Sequence, residues 1–161
     1  MLNKLLFKHI DNSSLIVFRI IFGLLCFLES VGAIFTGWIK RQPLPGNWMY
    51  AYYVVMGVFG LLIMIGYKYR FSTIMFTILW AGTYFMQKAS YNNHYYLLIL
   101  LSGIMVFQPA NTYYSLDAKK NPGIQQIAMP NWCRLLFILQ MFIVYTYGAI
   151  AKIYPDWLDT T

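Results

Sequence analysis

The chain has 161 residues, 60% of them hydrophobic and 11% charged, where a typical soluble domain carries about 25% charged residues. That composition excludes a disordered chain, which needs low hydrophobicity and high net charge, and two cysteines exclude a disulfide-stapled secreted domain. What remains is an all-α polytopic membrane protein, a helical bundle of about five transmembrane helices: a span takes about 20 residues, so five use roughly 100 and leave only ends and loops.

In chain order, Leu2, Leu5, Leu6 and Phe7 with Lys4 and Lys8 predict a short interfacial helix. Ser13 or Ser14 offers an N-cap for the first span, near 15–38. Arg19 and Glu29 interrupt it, and an arginine inside the apolar stretch argues against a cleaved signal peptide. Arg19 is expected to snorkel to the inner surface. Glu29, deeper towards the outer half, needs a partner or a proton, and an interhelical hydrogen bond is its expected role. The second span lies near 47–67, after Pro43 and Pro45, and the third near 71–87. The fourth lies near 93–107, before Pro109, and the fifth near 132–154, between Pro130 and Pro155. All read as helices, because a backbone in lipid must satisfy its own hydrogen bonds. The run Asn111 to Asp117 reads as an ordered interfacial turn, and Cys26 and Cys133 are not expected to pair.

The basic residues set the orientation. Lys4, Lys8, Arg19, Lys68, Arg70, Lys119, Lys120 and Arg134 fall on one side, and Lys40, Arg41, Lys88 and Lys152 on the other. This places the amino terminus in the cytoplasm and the carboxyl terminus outside, in the cell membrane or a bacterial inner membrane. Trp38, Trp48, Trp132 and Trp157 fall near span ends, as an aromatic belt does, whereas Trp80 is mid-span. The net charge of +7 is accounted for by this bias and by anionic lipid, so the bilayer, not nucleic acid, is the expected partner.

Two places carry candidate chemistry. Lys152 comes eighteen residues after Arg134 on one helix, a rise of about 27 Å, which sets it near the outer boundary. Taken alone, it reads first as a snorkelling lysine meeting the helix C-terminal dipole. The functional alternative is a general base: a partly desolvated lysine loses its proton more easily and can then deprotonate a weak acid such as a phenol. The run Tyr91-Asn92-Asn93-His94 lies at the same predicted face. A polar turn with Asn93 capping the fourth helix explains the asparagines, and less well His94, which can exchange a proton with a neighbour. There is no His, Cys, Asp and Glu cluster at metal-ligand spacing, no Gly-x-Ser-x-Gly turn and no phosphate-binding glycine loop. Intramembrane charges are few for a transporter.

The strings Val17-Phe18-Arg19-Ile20-Ile21-Phe22-Gly23-Leu24-Leu25, Trp48-Met49-Tyr50, Tyr91-Asn92-Asn93-His94-Tyr95-Tyr96, Ala110-Asn111-Thr112-Tyr113-Tyr114-Ser115-Leu116-Asp117 and Phe142-Ile143-Val144-Tyr145, with Lys152 and Asp156-Trp157, carry a resemblance over nearly the whole chain. It resembles the amino-terminal membrane region of vitamin K-dependent gamma-glutamyl carboxylase and the horizontally transferred transmembrane (HTTM) domain proteins. The resemblance implies that Lys152 is the base that deprotonates reduced vitamin K or another quinol, and that His94 assists. It makes Asn92 and Asn93 the candidate cofactor-binding residues. It also implies dioxygen and carbon dioxide as co-substrates, no metal, and a glutamate-containing peptide as acceptor. The chain departs from better-known members in carrying Ala151-Lys152 in place of two adjacent lysines. Members also continue past the Asp-Trp string, so a sequence ending at Thr161 is expected to be a fragment of a longer carboxylase-like enzyme. The competing expectation is a small non-enzymatic DoxX-like membrane protein associated with quinones.

Overall fold

A computed structural model describes residues 2–36, 46–86 and 93–153. Seven α-helices are seen among the described residues. They are α1 (Leu2–Leu6), α2 (Ser13–Phe35), α3 (Gly46–Ile65), α4 (Tyr69–Met86), α5 (Asn93–Phe107), α6 (Leu116–Lys120) and α7 (Trp132–Ala151). The strands β1 (His9–Asp11) and β2 (Ala128–Pro130) form one two-stranded sheet. A single 3-10 turn covers Pro122–Ile124. The protein is an all-α membrane bundle. Three described helices are long and apolar enough to cross a bilayer: Ser13–Phe35, Asn47–Ile65 and Trp132–Ala151. Asn93–Phe107 is apolar but shorter. The chain divides into two compact units, residues 1–10 with 130–161, and residues 11–129.

In the first unit the helix-start residue Asn131 secures α1. Its backbone N–H donates to the Lys8 carbonyl at 2.9 Å, and its side-chain Nδ2 donates to the Leu5 carbonyl at 3.1 Å. The side chain is thereby diverted from capping α7. The helix that follows exposes Ile138, Leu139, Phe142, Tyr145 and Tyr147, an apolar surface suited to lipid.

In the second unit α2, α3, α4 and α5 pack in sequence order, each against the next. The buried residues Leu15, Arg19, Phe22, Cys26 and Ser30 recur every three or four positions along α2, forming one stripe. Close approach of α2 and α3 needs small residues: a Cβ at Gly23 would overlap the Met64 backbone, and one at Gly60 the Phe27 backbone. On α4 the buried Thr73 hydroxyl donates to the Tyr69 carbonyl at 2.8 Å, which hides its polarity inside the helix. The Tyr69 hydroxyl donates to the Met105 carbonyl at 2.6 Å, tying α4 to α5.

Several local expectations need correction. Ser13 and Ser14 are already helical, and Asn12 holds the N-cap position of α2. The Ser13 N–H and hydroxyl instead donate to the Asp11 carboxylate at 3.0 and 2.8 Å. Led by the backbone bond, they hold the Asp11 carboxyl below its ordinary value. Asn12 is fully buried and donates through Nδ2 to the Pro109 carbonyl at 3.1 Å and the Thr112 hydroxyl at 2.8 Å. The run after Pro109 is more than a turn: it leads into α6, whose N-cap Ser115 accepts the Ala118 N–H. Cys26 and Cys133 are both free and buried. Trp38, Tyr91, Asn92, Pro155 and Trp157 lie outside the described residues.

Candidate functional site

Lys152 is the C-cap residue of α7, its N–H donating to the Ala149 and Ile150 carbonyls. Its side chain is exposed, and Ile150 and Ile153 beside it are exposed too. One turn or two back, Tyr145 and Tyr147 are each 71% exposed. The amine therefore stands at the end of a helix whose apolar and ring-bearing side chains are exposed, Tyr145 falling on the same side as Lys152 two turns back. It belongs to the first unit.

Asn93 and His94 belong to the second unit. Asn93 is the first residue of α5, so it sits inside the helix's first turn and not at its cap. Both side chains are exposed.

Tyr95, which the sequence did not single out, is the best-fixed residue of this turn. Its side chain lines one pocket with Glu29, its carbonyl accepts the Trp80 Nε1–H at 3.2 Å, and its ring meets the Trp80 ring edge-on at 5.2 Å. Glu29 of α2 and Tyr95 of α5 thus face one another across a single pocket lining. Trp80, an unusual mid-span indole, holds the same tyrosine from α4. A pocket of about 250 Å³ opens here, lined by Glu29, Gly32, Ala33, Thr36, Tyr53 and Tyr95. A pocket below the roughly 300–1,000 Å³ of drug-sized ligand sites suits a small group. The only sequence signal for it is a carboxylate in a span.

Arg19 does not snorkel. It is 0% exposed, and Nη2 donates to the Tyr114 carbonyl at 2.6 Å. Tyr114 turns that carbonyl inward with a left-handed backbone, φ 46°. Gly66, φ 67°, leaves room for the guanidinium, since a Cβ there would overlap Arg19 Nη1 and the Ser115 side chain. Beside it, Asp117 accepts the Lys68 and Tyr69 N–H groups at 2.8 and 2.9 Å and the Asn111 Nδ2–H at 3.0 Å. The segment from Asn111 to Asp117 thereby ties the start of α4 to the arginine of α2. Among the described residues no group of three or more His, Cys, Asp or Glu is placed to hold a metal ion.

A family model, the HTTM domain, matches residues 7–161. The chain belongs to the HTTM domain family. The matched stretch of this HTTM protein takes in Arg19, Glu29, His94, Asp117 and Lys152 alike. No solved structure matches the chain.

Proposed function

We propose that this HTTM protein supplies the catalytic membrane region of a quinol-dependent, carboxylase-like enzyme, with Lys152 as base and His94 assisting. The observation that carries the reading is the family match over 7–161, together with a lysine at the end of α7 on an exposed apolar surface. The resemblance of the sequence points from HTTM membership to the gamma-glutamyl carboxylases.

The surroundings of the amine suit a ring-shaped molecule dissolved in the bilayer. Tyr145, Tyr147, Ile150 and Ile153 are exposed, which gives such a molecule a lateral approach to Nζ. There Nζ takes the phenolic proton, a transfer within reach of an amine, whereas the γ-hydrogen of a glutamate, adjacent to its carboxylate, is too weakly acidic for it. A bound quinol supplies the oxidation by dioxygen that drives carboxylation of a peptide glutamate. His94, exposed in the first turn of α5, is a second group able to exchange a proton, and Asn92 and Asn93 are its proposed neighbours at the cofactor.

The test is epoxide formation from reduced vitamin K in membranes containing the protein. Lys152→Ala should lower it about 100-fold or more, the usual worth of a general base, with unchanged protein level. An equal rate in the variant overturns the role of Lys152. Wild-type membranes no faster than empty ones overturn the enzymatic reading and favour a quinone-associated protein without activity.

A further inference from the structure

We propose that a pocket at the basic end of the second unit binds the phosphate of an anionic lipid head group. The pocket, about 580 Å³, lies between the end of α3 and the segment leading into α6, and its wall includes Ile65, Tyr113, Tyr114, Ser115, Lys119 and Gln125. Lys119 brings a charged, exposed ammonium to it. A second cation, Lys120, is close by, held over the Tyr67 ring at 4.4 Å.

The second observation lies behind the wall. Arg19 is wholly buried, yet among the described residues Nε and Nη1 have no hydrogen-bond partner. Nη1 and the Ser115 side chain both crowd the position a Gly66 side chain would take, so the guanidinium is backed against the Ser115 part of the lining. Asp117 attracts Arg19, but its oxygens already serve the Lys68, Tyr69 and Asn111 donors. A buried cation so weakly compensated is costly, and an anion in the adjoining pocket offsets that cost through low-dielectric protein. The Ser115 hydroxyl is committed to Asn111 and Ala118, and Gln125 Nε2 donates to the Ala118 carbonyl. Recognition is therefore by charge, with Ile65 and the tyrosine rings left to meet the apolar part of a lipid. Basic pockets between membrane helices on the cytoplasmic side hold anionic head groups.

The experiment measures lipid retained by the delipidated full chain in mild detergent, read by native mass spectrometry, with phosphatidylglycerol or phosphatidylcholine added at equal concentration. Phosphatidylglycerol should be retained preferentially. Lys119→Gln should lower its retention about fivefold, the worth of one basic residue at a charged surface, while Lys4→Gln leaves it unchanged. Lys119 is exposed, so the variant should keep the wild-type thermal midpoint. Equal retention of the two lipids, or wild-type retention in Lys119→Gln, overturns the proposal. Full displacement of the lipid by inorganic phosphate alone also overturns it, by assigning the site to the free anion.

Discussion

A buried arginine on an apolar helix is stable only where backbone is brought to it, and here the backbone comes from Tyr114. Snorkelling is the expectation from sequence because α2 alone offers Arg19 nothing but length. The fold replaces that route with a segment some ninety residues further on, and Gly66 makes the space. Gly66→Ala should therefore cost more than the roughly 1–2 kcal/mol of a left-handed alanine, since its Cβ also overlaps Arg19 and Ser115. A thermal midpoint in detergent equal to wild type would show that the guanidinium does not fill this space. Asp11 carries a gentler effect with a definite sign. Its carboxyl is held below the ordinary value by the Ser13 N–H and hydroxyl, so its contribution to stability is present above the ordinary carboxylate range and fades as pH falls through its own lowered value. In Asp11→Asn the acid-side decline of the thermal midpoint should be shallower, and an identical pH profile would remove Asp11 from the account.

At the scale of elements, helices form where charges and prolines leave apolar windows, which is why α2, α3, α4, α5 and α7 are legible in the amino-acid sequence. The start of α5 at Asn93 and its end at Phe107 follow from the polar run before it and Pro109 after it. The capping and clamping devices are not legible in this way. Asn12 binds Pro109 and Thr112, and Asp117 binds Lys68 and Tyr69, pairings that local periodicity cannot signal because the partners are distant in sequence. The same holds for Tyr95, whose shared pocket with Glu29 depends on how α2 and α5 are brought together. Of the candidate site, Lys152 and His94 are readable as residue types in telling places, whereas the Glu29–Tyr95 pocket is not. Asp117 is the clearest element-scale test: it satisfies two of the orphan N–H groups at the start of α4. Asp117→Ala should lower stability by about 0.5–2 kcal/mol, as loss of a helix cap does, and Asp117→Asn by less. No shift in the thermal midpoint for either variant would place the stability of this turn elsewhere.

At the scale of the whole molecule, the number of helices that cross the bilayer bears directly on the chemistry. Among the described helices α2, α3 and α7 have the length and apolarity to cross, whereas α5 is shorter and α4 carries Ser72, Thr73, Thr77 and Thr83. Five crossings and three crossings are both odd, so both put the chain's two ends on opposite sides, and a reporter at either terminus does not separate them. The connection between α4 and α5 does. If α4 and α5 cross, residues 87–92 face outward with Lys88 among the minority of basic residues assigned there by the positive-inside bias. If they form a hairpin that stays on the inner side, the same residues face the cytoplasm. We expect five crossings, because the polar groups of α4 are turned to its own backbone and to neighbouring helices, as with Thr73 and Tyr69, which lowers the cost of placing it in lipid. Ser90→Cys in whole cells, treated with a membrane-impermeant maleimide, should be labelled from outside. Cys26 and Cys133 are buried and should contribute little background. Protection of Ser90→Cys until the cells are opened would put the start of α5 on the cytoplasmic side and end the assisting role proposed for His94, leaving Lys152 to be tested alone.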